Sequence, residues 1–188
     1  MADIVVVYHS GYGHTQRLAQ AVAEGAAARL LVIDAEGNLP EGGWEQLAAA
    51  DAIVFGSPTY MGGPSWQFKK FADASSKPWF GQAWKDKLFA GFTNSGSING
   101  DKSNTMFYFF TLAMQHGGVW VGNGMMPANN KAAQRNDVNW IGTFAGAASQ
   151  TPVDASAAEM LPGDLQTGRQ FGQRVAAAAG RWARGRGG

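Results

Sequence analysis

The six consecutive residues Ser10-Gly11-Tyr12-Gly13-His14-Thr15 concentrate hydroxyls, glycines and an imidazole, with no carboxylate and no lysine among them. Just ahead lies Asp3-Ile4-Val5-Val6-Val7-Tyr8, a short apolar run rich in β-branched residues that reads as a strand buried on both faces. Just behind, Leu18, Ala19, Val22 and Ala26 share one face of a helix expected from about Gln16 to Ala28. Strand, tight loop and helix aim orphan amides and the positive end of a helix dipole at an anion. Ser10 and Thr15 add hydroxyl donors at the two ends of the loop, and His14 can add a ring donor. A lone phosphate monoester suits this chemistry. The lysine of a triphosphate-binding loop is missing. A dinucleotide fingerprint is matched only in part: Gly11 and Gly13 fit, but the third glycine position holds Gln16. Asp34, near the place of a ribose ligand, reads better as a strand end. The plain alternative for the whole stretch is a tight turn with no ligand.

The elements that would hold this loop follow in alternation. Leu30 to Ile33 is a second strand, Glu36 to Gly43 a loop, and Trp44 to Ala50 a short helix with Leu47 inward. Ala52 to Gly56 is a third strand, broken at Ser57 through Pro64. Ser65 can cap a helix whose apolar positions are Trp66, Phe68, Phe71 and Ala72. Lys77 to Gly81 reads as a loop carrying exposed aromatics. Leu88 to Thr93 is a fourth strand followed by polar residues through Asp101. A helix runs from about Ser103 to Gln115, and Val119 to Val121 is a fifth strand. Gly122 to Ser149 is irregular and lightly charged, a length that signals a functional loop. Asp164 caps a last helix with Leu165, Phe171, Val175 and Ala179 inward. Residues 1–183 form one domain, and residues 184–188 are expected to be a disordered Gly/Arg tail.

Such alternation implies an α/β fold with a parallel sheet covered on both faces. Ligands of these sheets bind beyond the carboxyl ends of the strands, at the switch point. Polar, glycine-bearing loops follow the first, third and fourth strands. Pro58-Thr59-Tyr60 offers a rigid corner, a hydroxyl and a ring, while Asn94-Ser95-Gly96-Ser97 offers small donors and acceptors. A phosphate loop facing two loops able to flank a plane describes a mononucleotide with a large ring system, and FMN fits.

Composition excludes other classes. The chain has 188 residues, enough for one domain with a substantial core, and a formal net charge of +1. Bulk electrostatics therefore demand neither nucleic acid nor an anionic membrane. With 0 cysteines there is no thiolate catalysis, and His9, His14 and His116 lack metal-ligand spacing. The first strand begins at once, leaving no room for a signal peptide, and no apolar run spans a membrane. A cytoplasmic location without membrane insertion is expected.

Ser10-x-Tyr12-Gly13-His14, Gly56-Ser57-Pro58-Thr59, Trp79, Ser95-Gly96-Ser97 and Leu112-Ala113-x-x-His116-Gly117 together resemble the flavodoxin-like WrbA-type NAD(P)H:quinone oxidoreductases. Gly142-Thr143-Phe144-Ala145-Gly146 and the last helix match more loosely. The resemblance implies a flavodoxin-like three-layer sandwich, its parallel sheet in the order 2-1-3-4-5 with helices on both faces. It implies FMN, hydride transfer from NADH or NADPH to quinone-type acceptors, and a homo-oligomer, dimer or tetramer. Carried over by position, Ser10, Tyr12, Gly13, His14 and Thr15 surround the phosphate. Pro58, Thr59, Tyr60, Met61 and Gly62 lie along the ring, and Asn94, Ser95, Gly96 and Ser97 meet its far edge. Trp79, from a neighbouring subunit, helps form the nicotinamide and quinone cleft, and His116 is the candidate proton donor. A histidine at the helix carboxyl end is also favoured by the dipole without any function.

This sequence departs from the family pattern in three places. Tyr60-Met61 replaces Arg-Phe, the family's flavin-side histidine falls on Met114, and the segment between the second and third strands is short. A flavodoxin-type electron carrier is the alternative, with a Rossmann-type NAD-binding protein less favoured. The 15 basic against 14 acidic residues lack the negative field that steers a shuttle onto basic partners.

Overall fold

Side chains of the first strand alternate between two cores, as a strand buried on both faces requires. In the computed structural model, which describes residues 2–185, this strand is β1 (Ile4–Tyr8). Ile4, Val6 and Tyr8 pack with Leu18, Val22, Phe171 and Val175. Val5 and Val7 turn the other way, toward Leu47, Phe55, Phe68, Phe71 and Phe109. The first core is roofed by α1 (His14–Ala26) and α6 (Pro162–Gly185). The second is roofed by α2 (Gly43–Ala49), α3 (Trp66–Ala74) and α5 (Lys102–Gln115). The roofing helices α1 and α6 touch backbone to backbone: a Cβ at Gly172 would sit 2.1 Å from the Val22 carbonyl oxygen. Among the described residues no helix is long and apolar enough to cross a membrane.

The parallel sheet places β2 (Arg29–Val32) outside β1, then β3 (Ala52–Tyr60), β5 (Leu88–Ser95) and β6 (Val119–Trp120). Counting only these five gives the order 2-1-3-4-5. Two further strands depart from the sequence expectation. The hairpin strand β4 (Gly63–Pro64) pairs antiparallel with β3, and β7 (Ala147–Gln150) pairs parallel with β5. The strand β6 covers only Leu88 and Phe89 of β5, while β7 covers Phe92 to Ser95. One edge position is thus built from two pieces, with residues 121–146 looped out between them. That excursion is held by buried asparagines: Asn139 donates to Met125 O and accepts from Thr143 N, and Asn123 donates to Thr143 O.

Other boundaries moved for local reasons. The strand β3 does not break at Ser57 but continues through Pro58 to Tyr60. Its pairing with β1 ends at Tyr8 opposite Gly56, so beyond that point β3 is bonded to β5 on one side and the missing N–H of Pro58 leaves no gap in a ladder. Lys77 to Phe80, expected as a loop, belongs to the short helix α4 (Ser76–Phe80). The helix α6 begins at Pro162, a residue pre-set for the first helical position, so Asp164 lies inside the first turn. Arg184 and Gly185 of the expected tail are helical, and residues 186–188 lie outside the described residues.

The two residues expected to be catalytic sit at the amino ends of the strands. The helix α5 leaves the carboxyl end of β5 and returns to its start, where Gly117 O accepts from Asp86 N. There His116 is buried, its ring 4.3 Å from that of Trp84 and its Nε2 2.9 Å from Ser75 Oγ. Trp79, half-buried, donates from Nε1 to Gln115 O. His116 is thereby packed as a core residue at the end of the sheet opposite the first loop.

Burial pulls the His116 imidazole down to about 4. The unfolded chain takes up a proton near 6.5, one that the folded chain refuses until about 4. The stabilisation from neutral His116 is therefore complete above pH 6.5 and is lost as pH falls toward 4. The loss amounts to at most about 3 kcal/mol. Thermal melts between pH 7 and pH 4 should show this slope in the wild type and a shallower one in His116→Gln. An unchanged slope in the variant assigns the acid sensitivity to other groups.

Candidate functional site

Ser10 shapes the first loop from within. Its Oγ accepts from the amides of Gly13 and Gln16, both at 3.1 Å, and its hydroxyl proton remains free to donate outward. Gly13 takes φ 88°, which brings the chain round into α1. The amides of His14 and Thr15, in the first turn, have no intrahelical acceptor and no other partner among the described residues. Thr15 is a buried residue whose hydroxyl makes no hydrogen bond among the described residues yet still reaches the surface of the loop. Ser10 Oγ–H, Thr15 Oγ1–H and two amides thus form a donor cluster at a helix amino end. His14 departs from expectation: its ring Nε2 donates to the Ala155 carbonyl at 2.7 Å, so only its amide faces the loop.

The second wall is the β3–β4 hairpin. Its central residues Met61 and Gly62 have φ of 47° and 78°, the positive pair of a mirror-image turn that fits strand twist. Gly62 adopts this freely, whereas Met61 is strained there and fully exposed at 104%. Tyr60 lies against the first loop, where a Cβ on Gly11 would meet its hydroxyl at 2.7 Å, and its ring meets Tyr12 edge-on at 6.1 Å. Burial first, and then the neighbouring Tyr12 phenol, push the Tyr60 hydroxyl above its ordinary value. The Thr59 hydroxyl is not offered to a ligand: it bonds Thr93 Oγ1 and Thr105 Oγ1 at 2.8 Å each. Ser57 Oγ likewise turns inward, accepting from the Ser65 amide.

The third wall is sided. Thr151 N donates to Ser95 O, Gln150 Nε2 to Gly96 O, and Ser95 Oγ to Ser97 O. Lys102 Nζ donates to the carbonyls of Ser97, Ile98 and Asn99 at 2.6, 2.9 and 3.5 Å. Every carbonyl from 95 to 99 is consumed, while the amides of Gly96, Ser97, Ile98, Asn99 and Gly100 donate to nothing among the described residues. The peptide groups between Ser95 and Gly100 thus present their amides and not their carbonyls. Asn94 serves the framework instead, donating from Nδ2 to Ser149 Oγ and Thr151 Oγ1.

Ser10 to Thr15, Tyr60 to Gly62 and Gly96 to Ser97 therefore share the carboxyl rim of the sheet, whereas Trp79 and His116 stand at the opposite end. Residues 151–160 were not foreseen there. Ala155 holds His14, Ala157 closes on Gly13 with Cβ 3.4 Å from its ideal Cβ, and Val153 Cγ1 would lie 2.7 Å from a Cβ on Gly96. A Ser156–Glu159 side-chain and backbone pair locks this turn, and those hydrogen bonds hold the Glu159 carboxyl below its ordinary range. A cavity of about 440 Å³ lies elsewhere, between α6 and Asn123 to Met125. It carries Arg174 and Arg181 among glutamines but none of the aligned amides that mark the rim.

An open parallel sheet in this order, with its site at the crossing beyond β1 and β3, defines a flavodoxin-like protein. The chain belongs to the family of flavodoxins and WrbA-type NAD(P)H:quinone dehydrogenases. It is 55% identical to the flavodoxin FldP of Pseudomonas aeruginosa over 176 residues, covering 94% of this chain and 96% of that one. It is 31% identical to an NAD(P)H dehydrogenase (quinone) of Geotalea uraniireducens, with 96% and 99% covered. The family profile of NADPH-dependent FMN reductase matches residues 43–132. Among solved structures, the flavodoxin, WrbA-like protein from Agrobacterium tumefaciens superposes with a TM-score of 0.81 at 56% identity, covering 96% of this chain and 99% of that one. An archaeal flavodoxin, at 19% identity and a TM-score of 0.60, shares the fold.

Met61 makes the local strain measurable. A residue with a short polar side chain tolerates the left-handed region, so Met61→Asn should stabilise the protein by about 1 kcal/mol. The denaturant midpoint should rise with an unchanged slope. A lower midpoint would mean that the methionine side chain makes a stabilising contact outweighing its backbone strain.

Proposed function

We propose that the chain is an FMN-dependent oxidoreductase passing a hydride from NADH or NADPH to quinone-type acceptors. The observation that carries this is the facing of a hydroxyl and amide cluster in the first loop by a loop after β5 whose backbone carbonyls are consumed and whose amides are free among the described residues. Such an arrangement suits a ligand with an anion at one end and carbonyl oxygens at the other, which is the chemistry of FMN. In this reading Ser10, Thr15 and the amides of His14 and Thr15 hold the phosphate. Tyr60, Met61 and Gly62 flank the ring, with Pro58 behind them, and the amides from Gly96 onward meet its acceptor-rich end. Bound FMN supplies the hydride chemistry, so the protein needs to bind, orient and leave one ring face open. Gly63 and Gly62 have nothing within 4 Å of an added Cβ, and that keeps the hairpin tip from walling off the ring.

A second reading is favoured by one finding: the 55% identical relative is named a flavodoxin, which suggests an electron carrier. Balanced charge speaks for the enzyme, because a shuttle relies on a strong field of one sign. Anaerobic stopped-flow mixing with NADH and with NADPH separates the two. Loss of flavin absorbance followed by reoxidation with benzoquinone is the expected outcome. Inertness toward both nucleotides would make the carrier reading the better one.

The enzyme reading includes self-association. The exposed side of α5 carries Phe107, Phe110 and Met114, with no acid or base between Ser103 and Gln115. An uncharged aromatic strip of this kind is self-complementary across a two-fold axis. Trp79 can approach a flavin site only from a second copy. Light scattering at micromolar concentration should report a dimer or larger, and Phe107→Lys should shift it toward monomer. A monomeric wild type would overturn the assignment.

A further inference from the structure

Lys102 is the first residue of α5, only 3% exposed, at a helix end where a cation is disfavoured by the dipole. Among the described residues no carboxylate bonds its ammonium. Its three acceptors are the carbonyls of Ser97, Ile98 and Asn99, wrapped round it by Gly100 and Asp101, both at φ 55°. A buried charge without a paired anion is costly, so its retention here asks for a role. The geometry states one. A trans peptide whose carbonyl points inward points its N–H outward. By gathering three successive carbonyls, the ammonium presents the intervening amides to the rim.

The wider setting adds charge. Asp164 accepts from both terminal guanidinium nitrogens of Arg135 at 2.8 Å and from the backbone amide of Gln150 at 2.9 Å. Gln150 in turn holds Gly96 O. Lys102, Arg135 and Asp164 thus form a cluster of two cations and one anion behind the donor loop.

We propose that Lys102 is the positioning residue of the flavin-ring subsite: it orients the amides of residues 98–100 toward the acceptor-rich end of the ring and, with Arg135, biases that subsite toward the reduced, more negative flavin. This rests on the FMN reading above. Lys102 touches no ligand and is not catalytic.

The test is binding and potential rather than turnover. Flavin fluorescence quenching gives affinities for FMN and for riboflavin, which shares the ring but lacks the phosphate. Lys102→Met should weaken both by tenfold or more. It should also weaken the reduced flavin about tenfold more than the oxidised one, lowering the two-electron midpoint potential by about 30 mV. Ser10→Ala should weaken FMN and leave riboflavin unchanged. Gln150→Ala, which frees Gly96 O without exposing a buried charge, should weaken both ligands a few-fold; if Lys102→Met does not fold, the pH dependence of the wild type decides the role of Lys102.

The wild type offers a further arm. Burial first, with Arg135 adding and Asp164 opposing, pulls the Lys102 ammonium down to about 8. Between pH 7 and 9 the neutral amine loses one donor and its charge, so riboflavin affinity should fall severalfold. The unfolded lysine stays charged to about 10.5. The burial penalty is therefore full below pH 8 and is relieved above it, so this group raises stability over the interval in which it lowers affinity. A purely structural lysine would not move the two in opposite directions. If the wild type binds neither flavin, the FMN reading fails. If it binds flavin, while Lys102→Met and Gln150→Ala match its riboflavin affinity and potential and pH 9 matches pH 7, the role given to Lys102 is wrong and the FMN reading stands.

Discussion

A parallel sheet ends in backbone groups that have no next strand to pair with, and all of them must be satisfied by something. Beyond β5, two side chains and the Thr151 amide satisfy the carbonyls of residues 95–99 and leave the amides. Lys102 and Gln150 take the carbonyls beyond β5, while Ser10 accepts two amides of the first loop and still has a proton to give. The result is a first loop with hydroxyls and amides to give and, beyond β5, a backbone of one chemical polarity. A preference for anions and carbonyl oxygens follows from that bookkeeping before any particular ligand is considered.

The length of β3 turns this rim into a site. The strand outruns β1 by the residues from Ser57 to Tyr60, so its end stands above the first loop and bends back as a two-residue hairpin. The projecting part is stiffened from below by the Thr59–Thr93–Thr105 hydroxyl cluster. Rigid support makes a strained tip tolerable: Met61 holds a left-handed backbone because the strands on either side of it are fixed. Local strain and local order are therefore two aspects of one hairpin.

The parts of the fold written in apolar periodicity were legible. Val5 and Val7 alternate with Ile4 and Val6, and Ile53 and Phe55 do the same on β3, so the strands and layers followed from pattern, whereas the strand order came from the family resemblance. The first loop was legible because glycines and hydroxyls after a strand have few other uses. What escaped was carried by residues whose sequence context argues the other way. Ala147-Ala148-Ser149-Gln150 has small and polar side chains and becomes a strand because β5 offers an open edge. Pro58 looked like a terminator and is harmless where one neighbour is missing. Lys102 stands in a polar stretch after Asp101 and reads as a solvated charge until its carbonyl acceptors are seen. His14 and Thr59 have the right chemistry for ligands, yet each is already engaged by a partner distant in sequence, Ala155 and Thr105.

The excursion from residue 121 to residue 146 joins these observations. It interrupts the edge strand and so costs the sheet part of a ladder, which a chain built for sheet stability alone would keep. In exchange it carries Arg135 to Asp164, and through Asp164 and Gln150 it reaches Gly96. The same excursion leaves room for β7, whose residues Ser149 and Thr151 anchor Asn94 at the base of the donor loop. A guanidinium, a carboxylate and an ammonium are thus set behind a loop that would otherwise be a flexible, glycine-containing turn. Two cations against one anion favour negative charge on whatever the loop holds. A strongly reducing shuttle gains from the opposite arrangement, because a negative setting makes its electrons easier to release. On the proposed reading, the placement of Lys102 and Arg135 is the one an oxidoreductase flavin would use and a strongly reducing shuttle would not.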